Sequence, residues 1–331
     1  LIPIHLLAAY AAIANPQASV TLSRVFAKNE RLAYNVESSV HAEQRGRGLQ
    51  TWIPDDYDLR YGFTMDVETL KSDGVAVVRY KRPTLTEIRG ETFEKEAVTK
   101  VNKLNWDLRL TVSPANKVLD MKDLTPKKDP KKAKKSNLNL RLAGGTQIGL
   151  QAFLGQFVQE VYRLSMFAGS LESSLDLAPG LPFDAVKVGD TWKTTVGYTP
   201  QKLKGNAKPI VQRLDYTYTY KGLVDGAKGK VHRVEAVLGF DSDLADYIHQ
   251  TFEVTADQTG LQKIPLRMNA KIVYNLDPKT RHTLSASAES DASFQVLVKQ
   301  YPDDPVQEEK IKGRSSITLV GRKIVAVAKK K

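Results

Sequence analysis

The chain has 331 residues, 41% hydrophobic and 26% charged, which is room for one large domain or two of ordinary size and excludes global disorder. It carries a formal charge of +12 and no cysteine, so disulfides, thiol catalysis and thiolate metal sites are all excluded. A cationic surface of this size favours anionic headgroups, acidic polymers or acidic proteins as partners.

Residues 1–14, Leu1 to Ala14, form an apolar run ending in Ala12-Ile13-Ala14 ahead of Asn15-Pro16. This pattern reads as the core of a secretory signal peptide cut before Asn15, and it makes the expected location extracytoplasmic, in the periplasm or cell envelope. A buried N-terminal segment is the alternative. The run stops short of the roughly 18 apolar residues that a spanning helix needs.

Residues 15–126 read as a first β lobe. Leu59–Val67 alternates apolar and polar residues, Ser72-Asp73-Gly74 offers a turn, and Val75–Tyr80 resumes the alternation. Residues 127–145 read as a basic linker containing Lys127, Lys128, Lys131, Lys132, Lys134 and Lys135. Such a run is a solvated loop or a contact for an anionic envelope polymer or protein. It has no interleaved aromatics, which argues against nucleic acid.

Residues 146–178 read as one long amphipathic helix. Leu150, Phe153, Leu154, Phe157, Val158, Val161, Leu164 and Ala168 follow helical spacing, with Thr146 placed as its N-cap. Its apolar face is expected to cover a sheet as core. The functional alternative is that Phe153, Phe157, Val161 and Phe167 border a cavity for an apolar ligand or lipid.

Residues 179–331 read as a second β lobe. Asp215–Tyr220, a turn at Asp225-Gly226, and Val231–Leu238 repeat the hairpin design of the first. Trp106–Val112 with Ser113-Pro114-Ala115-Asn116-Lys117 is echoed by Ala270–Tyr274 with Asp277-Pro278-Lys279-Thr280-Arg281. The matched blocks are about 160 positions apart and read as an internal duplication. Tyr216, Tyr218 and Tyr220 share one strand face, either as cross-strand packing or as an aromatic contact stripe at the surface.

The block Leu181-Pro182-Phe183-Asp184-Ala185-Val186-Lys187-Val188-Gly189-Asp190-Thr191-Trp192 resembles an "LP…V.VGDTW" entry found in uncharacterised exported β-rich bacterial proteins. Tyr274-Asn275-Leu276-Asp277-Pro278-Lys279-Thr280 is similar to their "Y.D.KTG" turn, with Arg281 standing where that pattern has Gly. More distantly, long meandering strands with a covering helix resemble the half-barrel of LolA- and LprG-type lipoprotein carriers. That resemblance implies an apolar ligand cavity.

Chemistry-bearing motifs are sparse. The five histidines have no ligand spacing, and Asp241, Asp243 and Asp246 lack the Gly and closing Glu of a calcium loop. No nucleophile elbow, P-loop or dinucleotide fingerprint is present. The expected fold is mainly β (α+β): two related curved antiparallel lobes with the long helix packed between or against them. The expected function is non-catalytic binding of an apolar or lipid ligand against the helix face, with no cofactor, no metal and no transmembrane span. The alternative is an envelope structural or adaptor subunit that binds protein or anionic polymer through the basic loop.

Overall fold

A computed structural model describes residues 19–90, 106–124, 179–198, 210–252 and 254–325. Its strands are β1 (Glu30–Gly46), β2 (Ile53–Leu70), β3 (Ala76–Gly90), β4 (Trp106–Val112), β5 (Val118–Asp123), β6 (Thr191–Tyr198), β7 (Gln212–Gly226), β8 (Gly229–Asp243), β9 (Leu261–Lys263), β10 (Pro265–Leu276), β11 (Thr283–Val298) and β12 (Gln307–Ile324). The helices described are short: α1 (Ala245–Phe252) and α2 (Ala256–Thr259). The long helix expected over 146–178 and the basic linker both lie outside the described residues.

Alternating sequence makes these strands. Along β1, Leu32, Tyr34, Val36, Val40 and Ala42 are buried, while Asn35, Glu37, Ser39 and His41 face solvent. The β2–β3 hairpin turns where Asp73 Oδ1 accepts from the Val75 amide at 3.0 Å and Gly74 adopts φ 80°. Asp and Gly fit because both tolerate turn geometry that a β-branched residue resists. The β7–β8 hairpin closes at Gly226 and Gly229, the latter at φ 115°.

All the strands join one antiparallel sheet in the order β5-β4-β3-β2-β1-β12-β11-β10-β8-β7-β6, with β9 pairing to β11. The two lobes expected from the sequence are thus halves of one continuous sheet. The joint is the β1–β12 ladder, running from Glu30 opposite Ile324 to Gly46 opposite Gln307. Local pattern could not reveal it, because it pairs segments almost 300 positions apart. Along the sheet, β2–β3–β4 and β7–β8–β10 run in the same direction, and the 113–117 and 277–281 turns close the same end of each.

The sheet is strongly curled at that end. Residues 19–28 form a strap across it: the Arg24 amide donates to Pro114 O at 2.7 Å and the Val25 amide to Thr280 O at 2.9 Å. Two successive amides therefore hold these turn carbonyls within about 10 Å of each other. In a flat sheet, six strand spacings between β4 and β10 would separate them by about 29 Å. Leu22 and Phe26 of the strap are buried against the apolar face, so that face is on the inside of the curl.

Candidate functional site: the inner face of the curled sheet

Two aromatic walls line the inner face. On the β1–β4 side, Tyr34 stacks on Phe63 with centroids 5.0 Å apart, and Phe63 meets Tyr80 at 5.1 Å. On the β6–β10 side, Trp192 stacks on Tyr218 at 5.6 Å, and Tyr218 contacts Tyr216 at 6.0 Å and Tyr274 at 6.5 Å. Each such pair adds about 0.5–1.5 kcal/mol beyond area burial. Between the walls, inward positions carry little bulk: Ser38 and Ala288 flank Ser315, while Ser290 and Val40 flank Gly313. A Cβ on Gly313 would lie 2.8 Å from Ser290 Oγ, so the low floor demands glycine there.

The ends of the curl are closed by local devices. The "VGDTW" block forms a tight turn with Gly189 at φ 94°, Asp190 Oδ2 accepting from the Lys187 amide at 2.8 Å, and Gly189 N donating to Tyr220 O at 2.8 Å. Trp192 then donates from Nε1 to Gly180 O at 2.6 Å, sealing the indole over the core. At the opposite strand ends, Asp243 Oδ1 accepts from the amides of Ala245 (3.0 Å) and Ile264 (2.8 Å), starting α1. That helix buries Ala245, Tyr247 and Ile248. Two of the three aspartates in this stretch of the sequence are thus structural: Asp243 caps, and Asp241 accepts from Arg267 Nε at 3.1 Å.

A polar cluster lies beneath the strap. Arg24, Glu30 and His282 are 5%, 1% and 1% exposed, among otherwise apolar neighbours. Glu30 Oε1 accepts from Arg322 Nε at 2.7 Å, Tyr34 donates its hydroxyl to Thr283 O at 3.0 Å, and the Arg24 guanidinium lies 4.8 Å from the Phe26 ring centroid. Burial pushes Tyr34 up to about 12, and it lowers Arg24 against the pull of Tyr34 and Glu30. Burial, then the positive Arg24, push His282 down to about 4. His232 is also pushed down to about 4, first by burial and then by Arg281; its Nδ1 lies 2.7 Å from the Tyr220 hydroxyl.

The outer face bears a polar trough of about 880 Å³ across the central strands. Lys271, Lys312 and Arg314 offset Asp215, Glu289 and Asp291 along its sides, with Asn269 and His41 among them. His41 reaches Asp56 at 2.5 Å, which places that carboxylate on this face.

The residues singled out from sequence distribute unevenly. Phe153, Phe157, Val161 and Phe167, and the lysines at 127, 128, 131, 132, 134 and 135, lie outside the described residues. Tyr216, Tyr218 and Tyr220 are buried at 2%, 5% and 3% exposure, so the row packs inside and does not form a surface stripe. The reason is parity: these positions share the inward face with Leu214. Arg24, Glu30 and His282 were missed. Arg24 carries a legible signal, since it alternates with Leu22 and Phe26 and must therefore share their buried side. Among the described residues no helix is long and apolar enough to cross a membrane, and no group of three or more acidic or histidine side chains is placed to hold a metal ion.

No family model matches the chain, and no curated protein matches it. Among solved structures, a chain described as "Lipid-protein interactions in lipovitellin" aligns at 11% identity and TM-score 0.38, covering 92% of this chain. The chain spans 26% of that protein's length. A likeness at this level carries no argument about function, and the geometry of the inner face has to supply it.

Proposed function

We propose that this protein is a non-catalytic, extracytoplasmic binding protein that holds an apolar, lipid-class ligand against the inner face of its curled sheet. One observation carries the reading: a single sheet, drawn in at one end by the strap, whose apolar side carries a band of small residues between two aromatic walls. Concave, largely apolar surfaces with a few polar groups are the usual form of small-ligand sites. The extracytoplasmic location is supported by the apolar run at residues 1–14.

Native mass spectrometry of the purified chain tests the reading directly. A retained mass of lipid size is expected, removable by organic extraction. Ser315→Leu, which raises the floor at a tolerable overpacking cost of about 1–3 kcal/mol, should lower its occupancy while circular dichroism stays unchanged. A bare chain mass before extraction, together with no uptake of added phospholipid, overturns it.

The second reading, an envelope adaptor, draws on the charge-balanced outer trough and the +12 net charge. It predicts an association with an envelope polymer or protein that weakens with salt, independent of any retained lipid.

A further inference from the structure

Three buried polar atoms beneath the strap make no hydrogen bond: Arg24 Nε, Glu30 Oε2 and His282 Nε2. They come from three different elements, namely the strap, β1 and the β10–β11 turn. Electrostatics couples them: Arg24 acts on His282, and Arg24 and Glu30 both act on Tyr34. Leaving each such atom unpaired costs about 1–3 kcal/mol, so three in one place constitute a built polar site.

The hydrogen inventory fixes what the site accepts. Arg24 Nε–H is a donor and Glu30 Oε2 is an acceptor. His282 is settled by its neighbours. Thr280 donates its hydroxyl to Asp277 Oδ1 at 3.0 Å, so at 2.5 Å its oxygen must accept from His282 Nδ1–H. His282 Nε2 is therefore the bare lone pair. The site thus offers one donor and two acceptors. An anion would satisfy Arg24 but would face the Glu30 carboxylate and the Nε2 lone pair. A cation would meet Arg24 and Arg322. An uncharged hydroxyl avoids both conflicts: its oxygen accepts from Arg24 Nε–H, and its one hydrogen goes to either Glu30 Oε2 or His282 Nε2.

We propose that Arg24, Glu30 and His282 form a receptor for an uncharged hydroxyl group at the polar end of the apolar ligand. The inference rests on the reading of the inner face as a lipid site. Phe26 beneath the Arg24 guanidinium, and Tyr34 stacked on Phe63, lead from the polar site directly onto the aromatic wall. A lipid alcohol can therefore lie along the wall with its hydroxyl under the strap. Water, with two hydrogens to donate, meets all three atoms, and the experiment separates the two sources.

The full chain is loaded from cyclodextrin at pH 7.5 with hexadecan-1-ol, hexadecanoate or hexadecane, and bound ligand is counted by native mass spectrometry. The alcohol should be retained about tenfold better than either other probe, the worth of one well-made hydrogen bond to a charged group. Glu30→Gln removes the repelling carboxylate and should shift the preference toward hexadecanoate. Arg24→Met should bring the alcohol down to the level of hexadecane. Thermal melts identify any variant that fails to fold, in which case the wild-type probe order alone decides. Equal retention of alcohol and hexadecane means that the site holds water only and overturns the proposal while leaving the lipid reading intact. A preference for hexadecanoate also overturns it. Failure of all three probes to bind overturns the lipid reading itself.

Discussion

At the residue scale, the two buried histidines make acid sensitivity the clearest expectation. His232 and His282 are held neutral in the fold, with values near 4, whereas an exposed imidazole titrates near 6.5. Between these values the unfolded chain binds protons that the folded chain refuses, so stability falls as pH drops from about 6.5 toward 4 and is flat above that window. Urea midpoints at pH 7 and pH 5 measure the effect. The double variant His232→Gln, His282→Gln should show a distinctly smaller drop between the two pH values. An undiminished drop would assign the acid sensitivity to other groups. The histidines were present in the sequence as scattered single residues, and their partners explain why they went unread. Tyr220 and Thr280 reach them across a hairpin and within a turn, through side-chain geometry that spacing does not encode.

At the element scale, the β10–β11 turn ties a strained backbone position to the strap. Asp277 Oδ1 accepts from the amides of Lys279 (2.8 Å) and Thr280 (2.7 Å), and Arg281 adopts φ 60°. A left-handed backbone at this position suits glycine, and this chain places Arg281 there instead. Arg281 offsets its strain by donating to Pro278 O and, at 3.3 Å, to Thr21 O of the strap. Replacing it separates the two effects. Arg281→Ala loses the contacts and keeps the strain, while Arg281→Gly loses the contacts and relieves the strain. The glycine variant should therefore be the more stable of the pair by about 1 kcal/mol, read from denaturation midpoints. A more stable alanine variant would show the strain to be unimportant. Hairpins and turns of this kind were legible because Asp-Gly and Asp-Pro chemistry is local. The curl was not, because it depends on the strap bridging Pro114 and Thr280, which no short window contains.

At the scale of the whole molecule, the β1–β12 ladder makes the two halves one cooperative unit. Trp52 lies in the first half, with the Arg45 guanidinium 4.7 Å from its ring centroid, and Trp192 packs on Tyr218 in the second. Single-tryptophan variants reporting from each position should show coincident denaturant transitions, as all-or-none unfolding requires. Two separated midpoints would mean that the halves unfold independently despite the shared sheet. The strands themselves were read from alternation, yet their assembly into one sheet was not, since Glu30 finds Ile324 only after nearly the whole chain has intervened. That same pairing has a consequence for connectivity. Read from β6 through β12 and on through β1 to β5, the sheet is an unbroken meander whose only non-local step is the β12–β1 joint. Val325 N already donates to Asn29 O at 2.8 Å, so the end of β12 lies beside the start of β1, where the strap enters the sheet. A chain recut between β5 and β6, with β12 linked back to the start of the strap so that residues 19–28 are kept, would place every strand of this path beside its sequence neighbour. The longest loop closure would be removed, and the slowest step in folding with it, while the sheet and its inner face kept their present form.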